Sequence, residues 1–346
     1  MKRPTLRDVA QRAGIHPATA SRALNPETRH LVSDETVVKV LRVARSLGYQ
    51  PNPVARSLKT SRSSTIGLVI PDLTNPLFPP IVRGVEDVLG PAGYNAWIVN
   101  TDNDATREES AIESLRSRHV DGLVVATARR AHPLLDEISA EGTPVILVNR
   151  RCDRGDLPSV TPDDAAGSAL IVHHLAALGH RRIAHLAGPL ALSTSTNRLR
   201  AYRQALADHD LPADPALVVE CRTWSIAAGA EAMRTLLDSG VEFTAVQAGN
   251  DLLALGCYDA IAERGLRCPE DLSIVGFNDI PLMDKLQPPL TTVHIPHYEI
   301  GMEAARMLLD ELRNPGRPAR AVLMPVTLRE RGSTRPVDVT TAATPA

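Results

Sequence analysis

Residues 17–22 read Pro-Ala-Thr-Ala-Ser-Arg, a run of small side chains ending in one long cation. On a helix, Pro17, Ala18, Thr19, Ser21 and Arg22 would face outward, and such a face is slim enough to enter the DNA major groove. The Arg22 guanidinium can grip guanine O6 and N7 together. Ser21 and Thr19 can hold phosphates, and the Ala18 methyl suits the thymine methyl. Other chemistry-bearing residues suggest less. His173, His174 and His180 surround one helical stretch without a carboxylate or cysteine at ligand spacing, so they read as surface or capping groups, and no metal or other cofactor is expected. Cys152, Cys221, Cys257 and Cys268 are far apart and read as reduced structural thiols. No two glycines stand two apart anywhere in the chain, which removes G-x-G-x-x-G, and neither a P-loop nor a G-x-S-x-G elbow is present. Asp163-Asp164 and Asn250-Asp251 sit at helix starts, where acidic groups cap helices and complement their dipoles. The pattern argues against an enzyme.

The elements that must position the small-residue face are three short helices. Leu6, Val9, Ala10 and Ala13 recur at helical spacing, Thr5 and Asp8 resemble a capping box, and Gly14 ends the run. After a three-residue turn, Pro17 suits the first position of a second helix that runs to Asn25-Pro26. Ser33 is placed to cap a third helix with an inner face of Val37, Val40, Leu41, Ala44 and Leu47, closed by Gly48. Two short helices joined this way form a helix-turn-helix, and the third completes a small core.

Charge follows the same division. The chain has net charge −2, yet residues 1–62 hold twelve Lys and Arg against four Asp and Glu, or +8, leaving −10 for the rest. A basic head on an acidic body is expected where only the head meets phosphates. At 346 residues and 43% apolar content the chain can form two or three globular domains. Its start runs into a helical pattern and no segment reads as a membrane span, so a cytoplasmic location with no membrane partner is expected.

The motifs Thr5-Leu6-Arg7-Asp8-Val9-Ala10, Ala13-Gly14, Thr19-Ala20-Ser21-Arg22-Ala23-Leu24-Asn25 and Leu47-Gly48-Tyr49-Gln50-Pro51-Asn52-Pro53-Val54-Ala55-Arg56-Ser57-Leu58 resemble the LacI family, and the likeness continues almost to the C-terminus. The DNA-contacting set implied is Thr5, Leu6, Pro17, Ala18, Thr19, Ser21, Arg22 and Asn25 in the head, with Asn52, Ala55 and Leu58 in a hinge. His16 departs from the serine or threonine usual as N-cap in the family. From the residues themselves, Asn52 and Pro53 give a cap and a helix start, and Val54–Lys59 is too short to be a stable helix alone. The resemblance implies that two such segments fold together over the minor groove, with Val54 and Ala55 packed between copies and Leu58 wedged between base steps. A small change in spacing between two bodies would then tip the segment between coil and helix.

From Thr65 onward, β-rich runs at Ile66–Ile70, Ala96–Asn100, Gly122–Val125, Val145–Val148, Ile183–Leu186, Ala245–Ala248 and Ser273–Phe277 alternate with helical patterns, which predicts doubly wound parallel sheets. The expected fold is α/β, a small all-α helix-turn-helix head plus two doubly wound lobes of the type I periplasmic-binding-protein kind. The expected divisions are a head at 1–50, hinge and linker at 51–62, a core at 63–332 and a flexible tail at 333–346. Within the core, one lobe takes about 63–160 and 292–321 and the other about 161–291 and 322–332, with crossings near 160, 290 and 322. Effectors in such sheets bind at the carboxyl ends of strands. The family motifs fall there and imply an effector set of Phe78, Asp102, Asn149, Arg198, Trp224, Asn250 and Asn278. Arg198 would clamp the ligand and Trp224 cover its apolar face, while Asn250 and Asn278 bond its rim. Phe78 also reads as ordinary core and Asn250 as a helix cap. Many sugar-binding members have aspartate at the positions of Asn278 and Asn149, so a sugar and other hydroxylated or anionic metabolites all stay open. The last dozen residues lack leucine heptads, so a homodimer on a near-palindromic double-stranded operator is expected. The whole reads as a ligand-controlled transcription regulator, a repressor in the first instance, with inducer and corepressor both open. A binding-protein carrier is the rival reading.

Overall fold

A computed structural model describes residues 4–25, 28–50 and 63–337, and the chain divides into two compact units at Ser63/Ser64. In the first unit, Thr5 opens α1 (Leu6–Ala13) through a full capping box with Asp8, and Gly14, at φ 66°, closes it in the left-handed conformation that glycine takes without penalty. Next come α2 (Pro17–Leu24) and α3 (Asp34–Leu47). Val9, Ala10, Ala13, Ala20, Ala23, Val37, Val40 and Ala44 meet in one small core. Ser33 stands at the N-cap of α3 without bonding its backbone; the hydroxyl turns instead to Thr36 Oγ1 at 2.9 Å.

The second unit holds two lobes. The first contains β1 (Thr65–Ile70), α4 (Phe78–Leu89), β2 (Asn95–Asn100), α5 (Ala105–Ser117), β3 (Gly122–Val125), α6 (Pro133–Ala140), β4 (Val145–Val148) and β5 (Ser159–Pro162). The second contains α7 (Asp164–Ala177), β6 (Ile183–Ala187), α8 (Ser193–Asp208), β7 (Val218–Glu220), α9 (Ile226–Asp238), β8 (Ala245–Ala248), α10 (Asp251–Glu263), β9 (Ser273–Asn278) and β10 (Thr291–His294). The chain then returns to the first lobe with α11 (His297–Arg313) and β11 (Ala321–Met324), and ends in the second with β12 (Thr327–Arg329). The strand orders are β11-β5-β4-β3-β1-β2 and β12-β10-β9-β8-β6-β7. Pairing is parallel throughout the first sheet; in the second, β12 runs antiparallel to β10. The central strands are buried on both faces, which explains their unbroken apolar runs. Returning α11 packs closely on α4, where a Cβ on Gly84 would stand 2.1 Å from Tyr298 O and one on Gly301 2.0 Å from Ile81 O.

Three expectations move. The crossings fall between Pro162 and Asp164, between His294 and His297, and between Met324 and Thr327, because β5, β10 and β11 each complete their pairing before the chain leaves its sheet. The second sheet is mixed rather than wholly parallel. Residues 333–337, assigned above to a flexible tail, are docked: the buried Ser333 hydroxyl donates to Ile274 O at 2.6 Å and accepts from Thr291 N at 2.8 Å, and Val337 N donates to Leu178 O. Short polar segments like this carry no apolar period, so their anchoring is invisible in sequence.

Candidate functional site

In the head, α2 presents Ala18 and Arg22 exposed and Pro17, Thr19 and Ser21 half-buried, while Ala20 and Ala23 face the core. Its amino end is capped by His16, whose Nδ1 accepts from Ala18 N at 3.2 Å, so imidazole does the work usual for serine or threonine. Its carboxyl end is held by Thr28, whose hydroxyl donates to Arg22 O, and by Arg29, whose Nε donates to Ala23 O. Terminal carbonyls of a helix need such partners. Thr5 and Leu6 stand at the start of α1, and Asn25 is the C-cap of α2. Asn52, Ala55 and Leu58, with the whole expected hinge at 51–62, lie outside the described residues.

In the body, the strand orders reverse between β1 and β3 and between β6 and β8. At such switch points the loops diverge and open a crevice beyond the carboxyl ends of the strands. The two lobes meet there through Arg151 N donating to Ser193 Oγ at 3.0 Å and Arg130 N donating to Ala191 O at 3.2 Å. Arg198, on α8, is 3% exposed. Its Nε donates to Asp164 Oδ1 at 2.8 Å, its Nη1 donates to Gly249 O at 2.6 Å, and its Cζ lies 3.6 Å from the Phe277 ring centroid. Burial pushes the Asp164 carboxyl upward, and the Arg198 charge offsets part of that. Trp224 leans on backbone that has no side chain to obstruct it: a Cβ on Gly188 would meet its ring at 2.2 Å. The ring centroid lies 5.9 Å from Arg198 Cζ.

Asn149 and Asn278 end β4 and β9 with φ of 64° and 117°, left-handed conformations that asparagine tolerates better than most residues. Both are buried, and the Oδ1 of each has no hydrogen-bond partner among the described residues. Thr101 Oγ1, Ser195 Oγ and His297 Nε2 are in the same condition. Asn278 is the last residue of β9, and the others follow the carboxyl ends of β2, β4, β6 and β10. Burial, with His294 adding to it, pushes the His297 imidazole down to about 4, so it is neutral near pH 7. Asn250 is buried too, but its Oδ1 is spent capping α10 through Leu253 N at 2.9 Å.

Other expected residues stand apart. Phe78 is 2% exposed at the start of α4 and belongs to the main apolar core. Asp102 is exposed and bonded to Asn100 and Arg107, next in the chain to the buried Thr101. Of the paired acidic residues, Asp163 caps α7 through Ala166 N, whereas Asp164 holds Arg198. Asp251 is buried, accepts from Thr292 Oγ1 and Ile280 N, and is pushed up to about 7 mainly by burial. Arg150, beside Asn149 past the end of β4, is not among the effector residues expected from sequence. It is 4% exposed, and burial pushes its guanidinium down to about 10. The available signal was an arginine two residues past the end of a four-residue apolar strand. Among the described residues, no group of three His, Cys, Asp or Glu could hold a metal, and no helix is long and apolar enough to cross a membrane.

A three-helix head with a small-residue reading helix, joined to a two-lobed body with polar groups at its switch points, defines a ligand-responsive DNA-binding regulator. Residues 5–52 match the family of bacterial regulatory proteins, lacI family, and residues 172–334 match the periplasmic binding protein-like domain. The chain is similar to the HTH-type transcriptional repressor CytR of Escherichia coli (strain K12), 35% identical over 332 residues that cover 96% of each chain. It is also 35% identical to the ribose operon repressor of Bacillus subtilis (strain 168), over 96% of this chain and 99% of that one. Among solved structures, the Lac repressor dimer bound to operator and the anti-inducer ONPF aligns with TM-score 0.86 at 29% identity, over 96% of this chain and all of the other. The complex of the regulator CelR with cellobiose aligns with TM-score 0.74 at 30% identity over the same shares. The chain belongs to the LacI family of DNA-binding transcription regulators. The named relatives and neighbours are transcription repressors and regulators.

Proposed function

We propose that this chain represses transcription as a homodimer on a near-palindromic operator, in the cytoplasm, and that a small molecule between the lobes sets its DNA affinity. The observation that carries the reading is the set of buried, unpartnered polar atoms at the strand ends, on Asn149, Asn278, Thr101, Ser195 and His297. Buried polar groups are costly unless bonded, and a ligand with hydroxyl or carboxyl groups would bond them. In the head, Arg22 reads a guanine, Ala18 meets a thymine methyl, and Thr5, Leu6, Pro17, Thr19, Ser21 and Asn25 set register on the backbone. Asn52, Ala55 and Leu58 form the hinge contact to the minor groove. In the cleft, Arg198, Trp224, Asn149, Asn250 and Asn278 hold the effector, with Phe78 and Asp102 at its margin.

The reading is supported by the Lac repressor, whose structure is a dimer on operator with an anti-inducer, and by CelR, seen with cellobiose. A thermal-shift screen of sugars, nucleobases and organic acids, followed by operator binding with each hit, tests it. A true effector raises the melting temperature and changes operator affinity, and a ligand at a hundredfold excess over Kd adds about 2.7 kcal/mol. Arg198→Ala should abolish the response and leave operator binding intact. A response that persists in that variant would refute the cleft assignment.

A further inference from the structure

Two guanidiniums are buried at the cleft, and their electrostatic situations differ. Arg198 has a matched carboxylate in Asp164 at 2.8 Å. Arg150 has none within ion-pair distance among the described residues: its Nε is unpartnered, and its Nη2 reaches only Asn103 Oδ1 at 3.5 Å, the outer limit of a hydrogen bond. The acid whose charge acts on it is Glu108, which is itself buried and already bonded to the Thr127 hydroxyl, to Arg129 at 3.3 Å and to His132 at 3.6 Å. His132 is held neutral near pH 7, since burial takes its imidazole down to about 4. One carboxylate therefore serves two arginines, and the cluster keeps a positive charge in excess. The adjacent side chain that could balance it, Asn149, is an amide. The other acids are committed elsewhere, the buried Asp251 to Thr292 and Ile280, and the half-buried Asp279 to Arg331 at 2.7 Å and His294 at 3.1 Å.

The position of this charge matters. Arg150 follows β4 and Asn103 follows β2, and the strands between them in the sheet are β3 and β1. A guanidinium reaching from one loop to the other passes over the carboxyl ends at the switch point of the first sheet, and the next residue, Arg151, donates its N–H to Ser193 Oγ at the start of α8 in the second lobe. A buried charge without a counter-charge is strongly disfavoured, and one retained at a crevice marks where the counter-charge arrives.

We propose that the effector is a hydroxylated anion, a sugar acid or a sugar phosphate, whose charged oxygens bond Arg150 while its hydroxyls donate to Asn149 Oδ1 and Asn278 Oδ1. This rests on the cleft being the effector site. Two measurements on the full chain test it. The first needs no ligand: Arg150→Met removes the uncompensated charge and Asn149→Asp balances it, so each should melt at or above the parent temperature. A fall of several degrees in both would show that Glu108 already satisfies Arg150 and would overturn the proposal. The second titrates matched probes, D-ribose, D-ribonate and D-ribose 5-phosphate, then D-glucose, D-gluconate and D-glucose 6-phosphate, reading melting temperature and operator affinity. An acid or phosphate should act at about 10- to 100-fold lower concentration than its neutral partner, with Asn149→Asp erasing the preference. Which of the two acts separates carboxylate from phosphate. A neutral sugar acting as well as its anions, in an Arg198-dependent way, would overturn the anion assignment and keep the cleft. A response independent of Arg198 would instead remove the cleft itself.

Discussion

The head and the cleft are both binding surfaces, built in opposite ways. In the head the reading side chains stand out from α2 in solvent, and only alanines and valines are buried. In the cleft nearly every polar group of interest is buried before any ligand is considered. An exposed surface leaves its charges solvated, so binding there draws on attraction to phosphates and on fit to base edges. A buried site holds its polar groups in place at a cost in stability, so binding there relieves the cost. The outward face of α2 should thus tolerate substitution and lose only DNA affinity, whereas the cleft should lose stability and response together.

The largest expected effect is in the cleft. Asp164→Ala leaves Arg198 buried without a counter-charge, and should cost about 3–5 kcal/mol in urea unfolding. A loss below about 1 kcal/mol would mean that solvent reaches Arg198 and that the cleft resembles the head after all. Next comes pH. Burial depresses His132, His180, His185 and His297 to about 4 in the folded chain, against about 6.5 unfolded. Their contribution is fully present above pH 6.5 and disappears as pH falls toward 4. Asp251 works the other way, since its pKa of about 7 contributes stability at low pH that is lost on the rise from about 4 to 7. With four groups against one, the melting temperature of the body should fall on acidification from pH 6.5 to 4. The separated contribution of Asp251 should appear as a smaller rise, removed by Asp251→Asn.

Smaller effects belong to the head. Arg22→Ala should relax base preference at one position per half-site, costing about 1–3 kcal/mol per contact in a binding-site selection with no change in melting. Unchanged preference would displace Arg22 from the reading role. Smallest is His16→Ala, which removes the cap on α2 and should lower head stability by about 1 kcal/mol, while His16→Ser restores it. Equal stability of both variants would show that the imidazole bond at 3.2 Å contributes nothing.

Legibility in sequence followed the same contrast. The head is a local structure: its caps, turn and core lie within 45 residues, and the capping box at Thr5 and glycine closures at Gly14 and Gly48 stand where their types demand. Ser33 and His16 mark the limit, because whether a side chain accepts from the helix backbone or bonds another neighbour depends on geometry. The cleft is assembled from loops that lie far apart in the chain. Arg198 and Asn278 could be named because they follow recognisable strands. That Asp164 would pair with Arg198 while Asp163 merely capped a helix could not be read from two adjacent aspartates.

By itself the sequence determined the family, the three helices of the head, its basic charge and the alternation that makes two parallel-dominated lobes, because each is written in short-range periodicity, caps or local charge. Only the tertiary structure decided where the lobes exchange strands, that residues 333–337 are anchored, and that Arg198 is paired while Arg150 is not. Burial and pairing depend on which distant segments meet. A charge 34 residues from its partner, or with no partner at all, looks the same in a linear chain.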